Sequence, residues 1–244
     1  MEPPAGARLH PFDEVPENLV PRWLLDIGAN QGDVTEAALR SFPDLSAVCL
    51  EPVQSTFSDL EANLSKHADR VHLFRIALSD RTETRDIHLT SFHGANSLEP
   101  QAEMHRSLNP FVTEVTTERV ECIRLDELAP RLPSQHFDIV KIDVEGHEIN
   151  VLDGGTQFFR SSVDVVIVEV AMTRDPSIMD QSIFKLFAYF DEAGFSFVNL
   201  FDMHPTGRDD VMLAQFDCVF RSKRFAQTPS VRGPRPPEAL DAGR

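Results

Sequence analysis

Apolar positions along this chain fall into short continuous runs that alternate with stretches of i, i+3, i+7 spacing, the signature of strands alternating with amphipathic helices. Trp23-Leu24-Leu25 is the first such run; it enters Asp26 and a turn holding Gly28 and Gly32, after which Val34, Ala37, Ala38 and Phe42 recur at helical spacing. Ala47 to Leu50 predicts a second strand ending on Glu51, and Phe57, Leu60 and Leu64 predict a second helix with Ser55 or Thr56 near its start. Val71 to Leu78 predicts a third strand that ends in Ser79-Asp80. From Thr82 to Leu125 the pattern changes. Asp86 to Leu89 and Glu118 to Ile123 alternate as short strands around a polar stretch, Ser91 to Pro110. A loop of that length suits a substrate lid, the other reading being a disordered insertion.

Leu125 to Leu128 predicts a short helical turn. Ile139, Val140, Ile142 and Val144 then form a near-continuous apolar strand, as a central parallel strand buried on both faces requires, interrupted by Lys141 and Asp143. Asp164 to Val170 predicts a fifth strand with Glu169 near its close. Ile183, Phe187 and Phe190 share one helical face before a stop at Gly194, and Phe195 to Leu200 with Val211 to Phe220 predict a hairpin closing the sheet edge. The fold class is α/β and Rossmann-like.

The 244 residues suit one large domain, spanning 22–220 with 82–125 as inserted strands and candidate lid, better than two small ones. Residues 1–21 contain five prolines and read as an extended arm; residues 221–244, with four prolines and two glycines, read as a mobile basic tail. No apolar run approaches the ~20 residues of a membrane span. Prolines stand where a signal peptide needs an apolar segment, so no secretion and a cytoplasmic location are expected.

The formal charge is −16, and residues 221–244 carry six Lys/Arg against two acids, which leaves −20 on the rest; such a body repels nucleic-acid phosphates. Cys49, Cys122 and Cys218 lie in apolar runs without C-x-x-C spacing, as buried reduced thiols do.

The chemistry gathers at strand ends. Gly28 and Gly32 permit close backbone approach to a ligand, and the following helix N-terminus offers unpaired N–H groups to an anionic group. Glu51, 23 positions after Gly28, suits acceptance of hydrogen bonds from ribose hydroxyls. The spacing is not G-x-G-x-x-G, so a single nucleoside fits better than a dinucleotide. Ser79 and Asp80 follow a strand, where a hydroxyl and a carboxylate can accept from an adenine amino group, the plainer reading of Ser79 being a turn.

Asp143, Glu145, His147 and Glu148 cluster at the end of the central strand. Glu148 is accounted for by the first turn of a helix, whereas a carboxylate at Asp143 is costly to bury without a purpose. H-E-x-x-H is absent, which excludes a zincin. Asp143, Glu145 and Glu169 have oxygens of the kind Mg²⁺ prefers, but carboxylates alone are not diagnostic, and no metal is expected.

Taken together, Asp26-Ile27-Gly28-Ala29-Asn30-Gln31-Gly32, Glu51-Pro52, Ala77-Leu78-Ser79-Asp80, Lys141-Ile142-Asp143-Val144-Glu145-Gly146-His147-Glu148 and Val168-Glu169-Val170 resemble the FkbM family of S-adenosylmethionine-dependent methyltransferases, over about residues 23–200. The resemblance implies a mostly parallel seven-stranded Rossmann-like sheet with helices on both faces. It implies methylation of a hydroxyl on a sugar, lipid, polyketide or similar metabolite. The cofactor contacts it implies are Gly28 and Asn30 by the methionine moiety, Glu51 on the ribose and Ser79-Asp80 near adenine; Asp26, Gly32 and Asp143 complete the expected cofactor-binding set.

Such a transfer needs a base, for which Asp143, Glu145 and His147 are the candidates; the two carboxylates are preferred because a histidine in a first helical turn is usually at the surface. A nucleotide-dependent reductase and a non-catalytic nucleoside-binding scaffold are the alternative readings. Oligomeric state is written in no pattern of the sequence.

Overall fold

The computed structural model describes residues 19–99, 113–171, 176–206 and 212–225. Most of the expected N-terminal arm, the basic tail beyond 225, residues 100–112 of the candidate lid and the hairpin turn lie outside them.

Ten strands and six α-helices are described. In chain order they are β1 (Trp23–Ile27), α1 (Asp33–Ser41), β2 (Ser46–Leu50), α2 (Gln54–Leu64), β3 (Val71–Phe74), β4 (Ala77–Leu78), β5 (Glu83–Thr90), β6 (Glu114–Ile123), α3 (Leu125–Leu128), β7 (Phe137–Ile142), α4 (Glu148–Gly154), α5 (Thr156–Ser162), β8 (Val163–Ala171), α6 (Pro176–Glu192), β9 (Phe195–Thr206) and β10 (Met212–Ser222). Seven strands form one sheet in the order β3-β2-β1-β7-β8-β10-β9, with only β10 running against the rest. The expected mostly parallel sheet with a terminal hairpin is therefore present, but the last strand, β10, inserts between β8 and β9 rather than lying outermost.

Alternate residues of the central strands feed two apolar layers, which is why their sequences read as unbroken apolar runs. Leu25, Ile27, Val140, Ile142, Val166 and Val168 face Val151 and Leu152 of α4, Phe158 and Phe159 of α5, and Leu186 and Phe190 of α6. Leu24, Cys49, Ile139, Val165 and Ile167 face Ala38 and Leu39 of α1 and Leu60 and Leu64 of α2. Phe190 stacks on Phe220 of β10 with ring centroids 4.1 Å apart, which fastens α6 over the hairpin. The three cysteines are free and buried, as expected.

One expected element is corrected. Val71 to Leu78 is not a single strand: β3 stays in the main sheet, and after Arg75-Ile76 the chain leaves it, so that Ala77 and Leu78 pair with Cys122 and Ile123 of β6. With β5, this makes a second, three-stranded sheet in the order β4-β6-β5. Its own small core of Val53, Ala77, Ile87, Leu98, Val120 and Cys122 attracts β4 away from the sheet β3 belongs to.

Candidate active site

The sequential order of the strands reverses at β1, whose neighbours are β2 on one side and β7 on the other, and open α/β sheets bind ligands outside the strand ends at such a switch point. A cleft of about 740 Å³, counting its part open to solvent, lies there. Its lining brings together Gly28, Asn30, Glu51, Asp143, Glu145 and His147, with Ile76 to Leu78 and, from the inserted region, Ile87, His93, Gly94, Asn96 and Leu98.

Gly28 follows β1 at φ 80°, the left-handed region, and a Cβ there would meet the Asp143 carbonyl at 1.8 Å. The glycine thus lets β1 and β7 close upon each other, and Asp143 N–H donates to the Ile27 carbonyl at 3.0 Å. Gly32, at φ 91°, caps α1 and does not line the cleft. Glu51, just past β2 and 7% exposed, accepts from Asn30 N–H at 3.1 Å and from Val53 N–H at 2.9 Å. Burial pushes its carboxyl up to about 7 against the pull of those two donors. The Asn30 side-chain oxygen is buried without a hydrogen-bond partner.

Asp26 lies beneath the cleft, not in its lining. It accepts from the Thr35 hydroxyl at 2.6 Å, and burial raises it to about 6. Ser79 and Asp80 likewise do not line the cleft: Ser79 is buried and faces His147, while Asp80 accepts from Ser79 at 3.1 Å and Asn150 at 3.4 Å. The cleft wall nearest them is Ile76 to Leu78.

The carboxyls at the ends of β7 and β8 converge. One oxygen each from Asp143, Glu145 and Glu169 lies within 4.8 Å of the others. Among them stands Lys141, 3% exposed, whose ammonium reaches Asp143 at 3.3 Å and Asp217 of β10 at 3.2 Å. Burial opposes the Lys141 charge, but Asp143, Asp217, Glu169 and Asp26 outweigh it and its affinity for the proton rises. Excess negative charge shows in the remaining acids. Burial, with repulsion from Asp143 and Glu148, lifts Glu145 to about 8; burial and Asp143 lift Glu169 to about 10. At neutral pH the cluster therefore retains protons.

His147 overturns the expectation of a surface histidine, since it is 1% exposed. Its Nδ1 lies 2.8 Å from Glu99 and its Nε2 3.0 Å from the Ser79 hydroxyl, so both nitrogens are engaged. Glu148 accepts from Gly146 N–H at 2.9 Å at the start of α4, the helix-terminal role its position suggested. Lys141, Asp217, Ser97 and Glu99 are the site neighbours that sequence reasoning missed; only Lys141 had a visible signal, a cation inside an apolar strand.

The chain matches the family model of the FkbM methyltransferase domain over residues 26–197. It is 29% identical over 141 residues to the 2-O-methyltransferase NoeI of Sinorhizobium fredii, a match covering 55% of this chain and 57% of that protein. It is 32% identical over 153 residues to the hexuronic acid methyltransferase AglP of Haloferax volcanii, covering 63% of this chain and 57% of the relative. The chain thus spans little more than half the length of these two relatives. Among solved structures, the O-methyltransferase TomG of Streptomyces achromogenes in complex with S-adenosylmethionine has the same fold, with a TM-score of 0.51 at 13% identity over 89% of this chain and 81% of that one.

Proposed function

The chain belongs to the FkbM methyltransferase domain family, and from that premise we propose that it transfers a methyl group from S-adenosylmethionine to a hydroxyl oxygen of a small molecule, sugar, lipid or polyketide-type metabolite. The observation that carries this reading is the convergence of Gly28, Asn30, Glu51 and Asp143 on one cleft at the switch point. These groups suit the cofactor. Gly28 lets Asp143 pack against the turn after β1 so that both line the same cleft, the carboxylate of Glu51 has lone pairs free beyond its two backbone donors, and the orphaned Asn30 oxygen awaits a donor. When bound, the cofactor supplies an electrophilic methyl on a positively charged sulfur.

In this reading Glu51 holds the ribose hydroxyls, Gly28 and Asn30 flank the amino-acid end, and the apolar Ile76 to Leu78 wall receives the base. Asp143, fixed by Lys141, places negative charge beside the cationic centre. Methyl transfer is an in-line displacement, so holding the acceptor oxygen in place and excluding water supply most of the rate. Glu145 takes the hydroxyl proton. Its affinity for protons, matched to near-neutral pH by burial and by Asp143 and Glu148, is that of an efficient general base, whereas His147 has both ring nitrogens occupied.

Calorimetric titration with S-adenosylhomocysteine and with NADH tests the assignment. Binding of the first alone is expected; binding of NADH would favour a reductase, and binding of neither a scaffold. A screen of metabolite extracts with methyl-labelled donor then reads which acceptor carries the label.

A further inference from the structure

From the inserted region, one short segment makes two side-chain contacts with the turn between β7 and α4. Ser97, 5% exposed, is tied to β5 by a backbone bridge in which His88 N–H donates to Ser97 carbonyl at 2.8 Å and Ser97 N–H to His88 carbonyl at 3.2 Å. From that fixed position its hydroxyl donates to the Glu145 carbonyl at 2.6 Å and accepts from Glu99 N–H at 3.0 Å. Glu99 in turn reaches His147 Nδ1 at 2.8 Å, and Arg85 of β5 lies 3.5 Å from the same carboxylate oxygen while donating to the Leu98 carbonyl at 3.2 Å. Behind His147 the Ser79 hydroxyl closes the chain of contacts at 3.0 Å.

The turn held this way is unusual. Glu145 sits at φ 54° and Gly146 at φ 96°, successive left-handed residues, and a residue with a Cβ pays for that conformation unless its surroundings impose it. An added Cβ at Gly146 would meet nothing within 4 Å, so crowding at that glycine does not set the turn's shape.

We infer that Ser97 and Glu99 are positioning residues: acting through the Glu145 carbonyl and the His147 ring, they impose the left-handed turn that directs the Glu145 carboxyl into the cleft. The inserted sheet is then a brace for the reacting turn. The inference rests on the reading of Glu145 as a group of the reacting cleft. His147 becomes a strut of that brace, with its Nδ1–H directed to Glu99 and Nε2 to Ser79.

The test uses the full chain with three substitutions, Ser97→Ala, Ser97→Thr and Glu99→Ala. Amide hydrogen exchange across residues 145–148 is expected to accelerate roughly tenfold in Ser97→Ala and Glu99→Ala, the worth of about one net hydrogen bond, and to remain near wild type in Ser97→Thr, which keeps the hydroxyl. Exchange in β5 and β6 stays unchanged. In ¹⁵N-histidine spectra, with the His147 signals assigned from a His147→Gln variant, the Nδ1 resonance of the wild type is expected to be that of a protonated nitrogen bonded to a carboxylate, to move in Glu99→Ala and to stay in place in Ser97→Thr, a change that looser packing alone would not produce.

Wild-type exchange rates at 145–148 in both Ser97→Ala and Glu99→Ala overturn the inference. Should Ser97→Ala unfold the small sheet, Glu99→Ala decides alone. A fall of more than tenfold in S-adenosylhomocysteine affinity in either variant also overturns it, because the segment would then belong to the donor-binding surface. If the wild-type protein does not bind S-adenosylhomocysteine, the proposed function fails, while the exchange and Nδ1 resonance results still decide the brace.

Discussion

Glu51 and Glu145 illustrate how position, not residue type, sets what a carboxyl does. Glu51 accepts one hydrogen bond from each of two backbone N–H groups, and in the proposed reading its remaining lone pairs receive the ribose hydroxyls. Replacing it with Gln is expected to weaken S-adenosylhomocysteine binding by ten- to a hundredfold, the worth of a charged hydrogen bond, in calorimetry. Glu145 must lose its proton to act as a base. Turnover is therefore expected to rise as pH passes through about 8, and this limb of the rate profile should vanish in Glu145→Gln together with most of the activity. Retention of wild-type turnover by both Glu145→Gln and Asp143→Asn would remove them from the chemistry. These acids were legible in the sequence because each closes an apolar run, where a carboxylate needs a reason to be. Glu99 was not, since a lone acid within a polar stretch carries no period and its partner is 48 positions away. The burial of His147 was hidden for the same reason: the segment that covers it comes from a different sheet.

At the scale of elements, the close passage of β1 and β7 depends on a missing side chain. Gly28→Ala would drive a methyl to 1.8 Å from the Asp143 carbonyl in a backbone region alanine rarely adopts, so the strands must part. Loss of several kcal/mol of stability, read as a lowered denaturant midpoint, together with loss of ligand binding, is expected. Lys141 plays the opposite part by filling a space between acids. Lys141→Met would leave Asp143 and Asp217 without their shared cation, and breaking such a buried pair typically costs about 3–5 kcal/mol; chemical denaturation measures it.

The strands of the main sheet were readable because burial on both faces produces unbroken apolar runs. The departure of β4 was not readable, because VHLFRIAL has no punctuation at Arg75-Ile76 and the break is decided by Cys122 and Ile123, more than forty residues on. The insertion of β10 between β8 and β9 is likewise a matter of antiparallel register that no local pattern encodes.

For the molecule as a whole, the buried acids tie stability to pH. Asp26, Glu51 and Glu145 have folded-state values of about 6, 7 and 8, all above those of an unfolded chain. Between roughly pH 4 and 8 the unfolded state therefore gives up protons that the folded state retains, and stability falls as pH rises. Fully buried Asp26 alone contributes at most about 3 kcal/mol of this change. Thermal unfolding midpoints are expected to drop by several degrees between pH 5.5 and 8.5, at roughly 2–4 °C per kcal/mol for a chain of this size. A cationic ligand in the cleft should offset part of the loss, so S-adenosylmethionine is expected to raise the midpoint more at pH 8.5 than at 5.5, and S-adenosylhomocysteine, which lacks the sulfonium charge, less so.

The parting of β3 from β4 bears on how this molecule comes apart. Ile76, Ala77 and Leu78 form the seam between a seven-stranded and a three-stranded sheet, and the same three residues line the cleft opposite Gly28 and Asn30. A nucleoside seated there would grip both sheets at once and act as a rivet across the seam. Without it the small sheet is expected to melt first under rising denaturant; with it, probes on Ile87 and on Ile139 should report one shared transition.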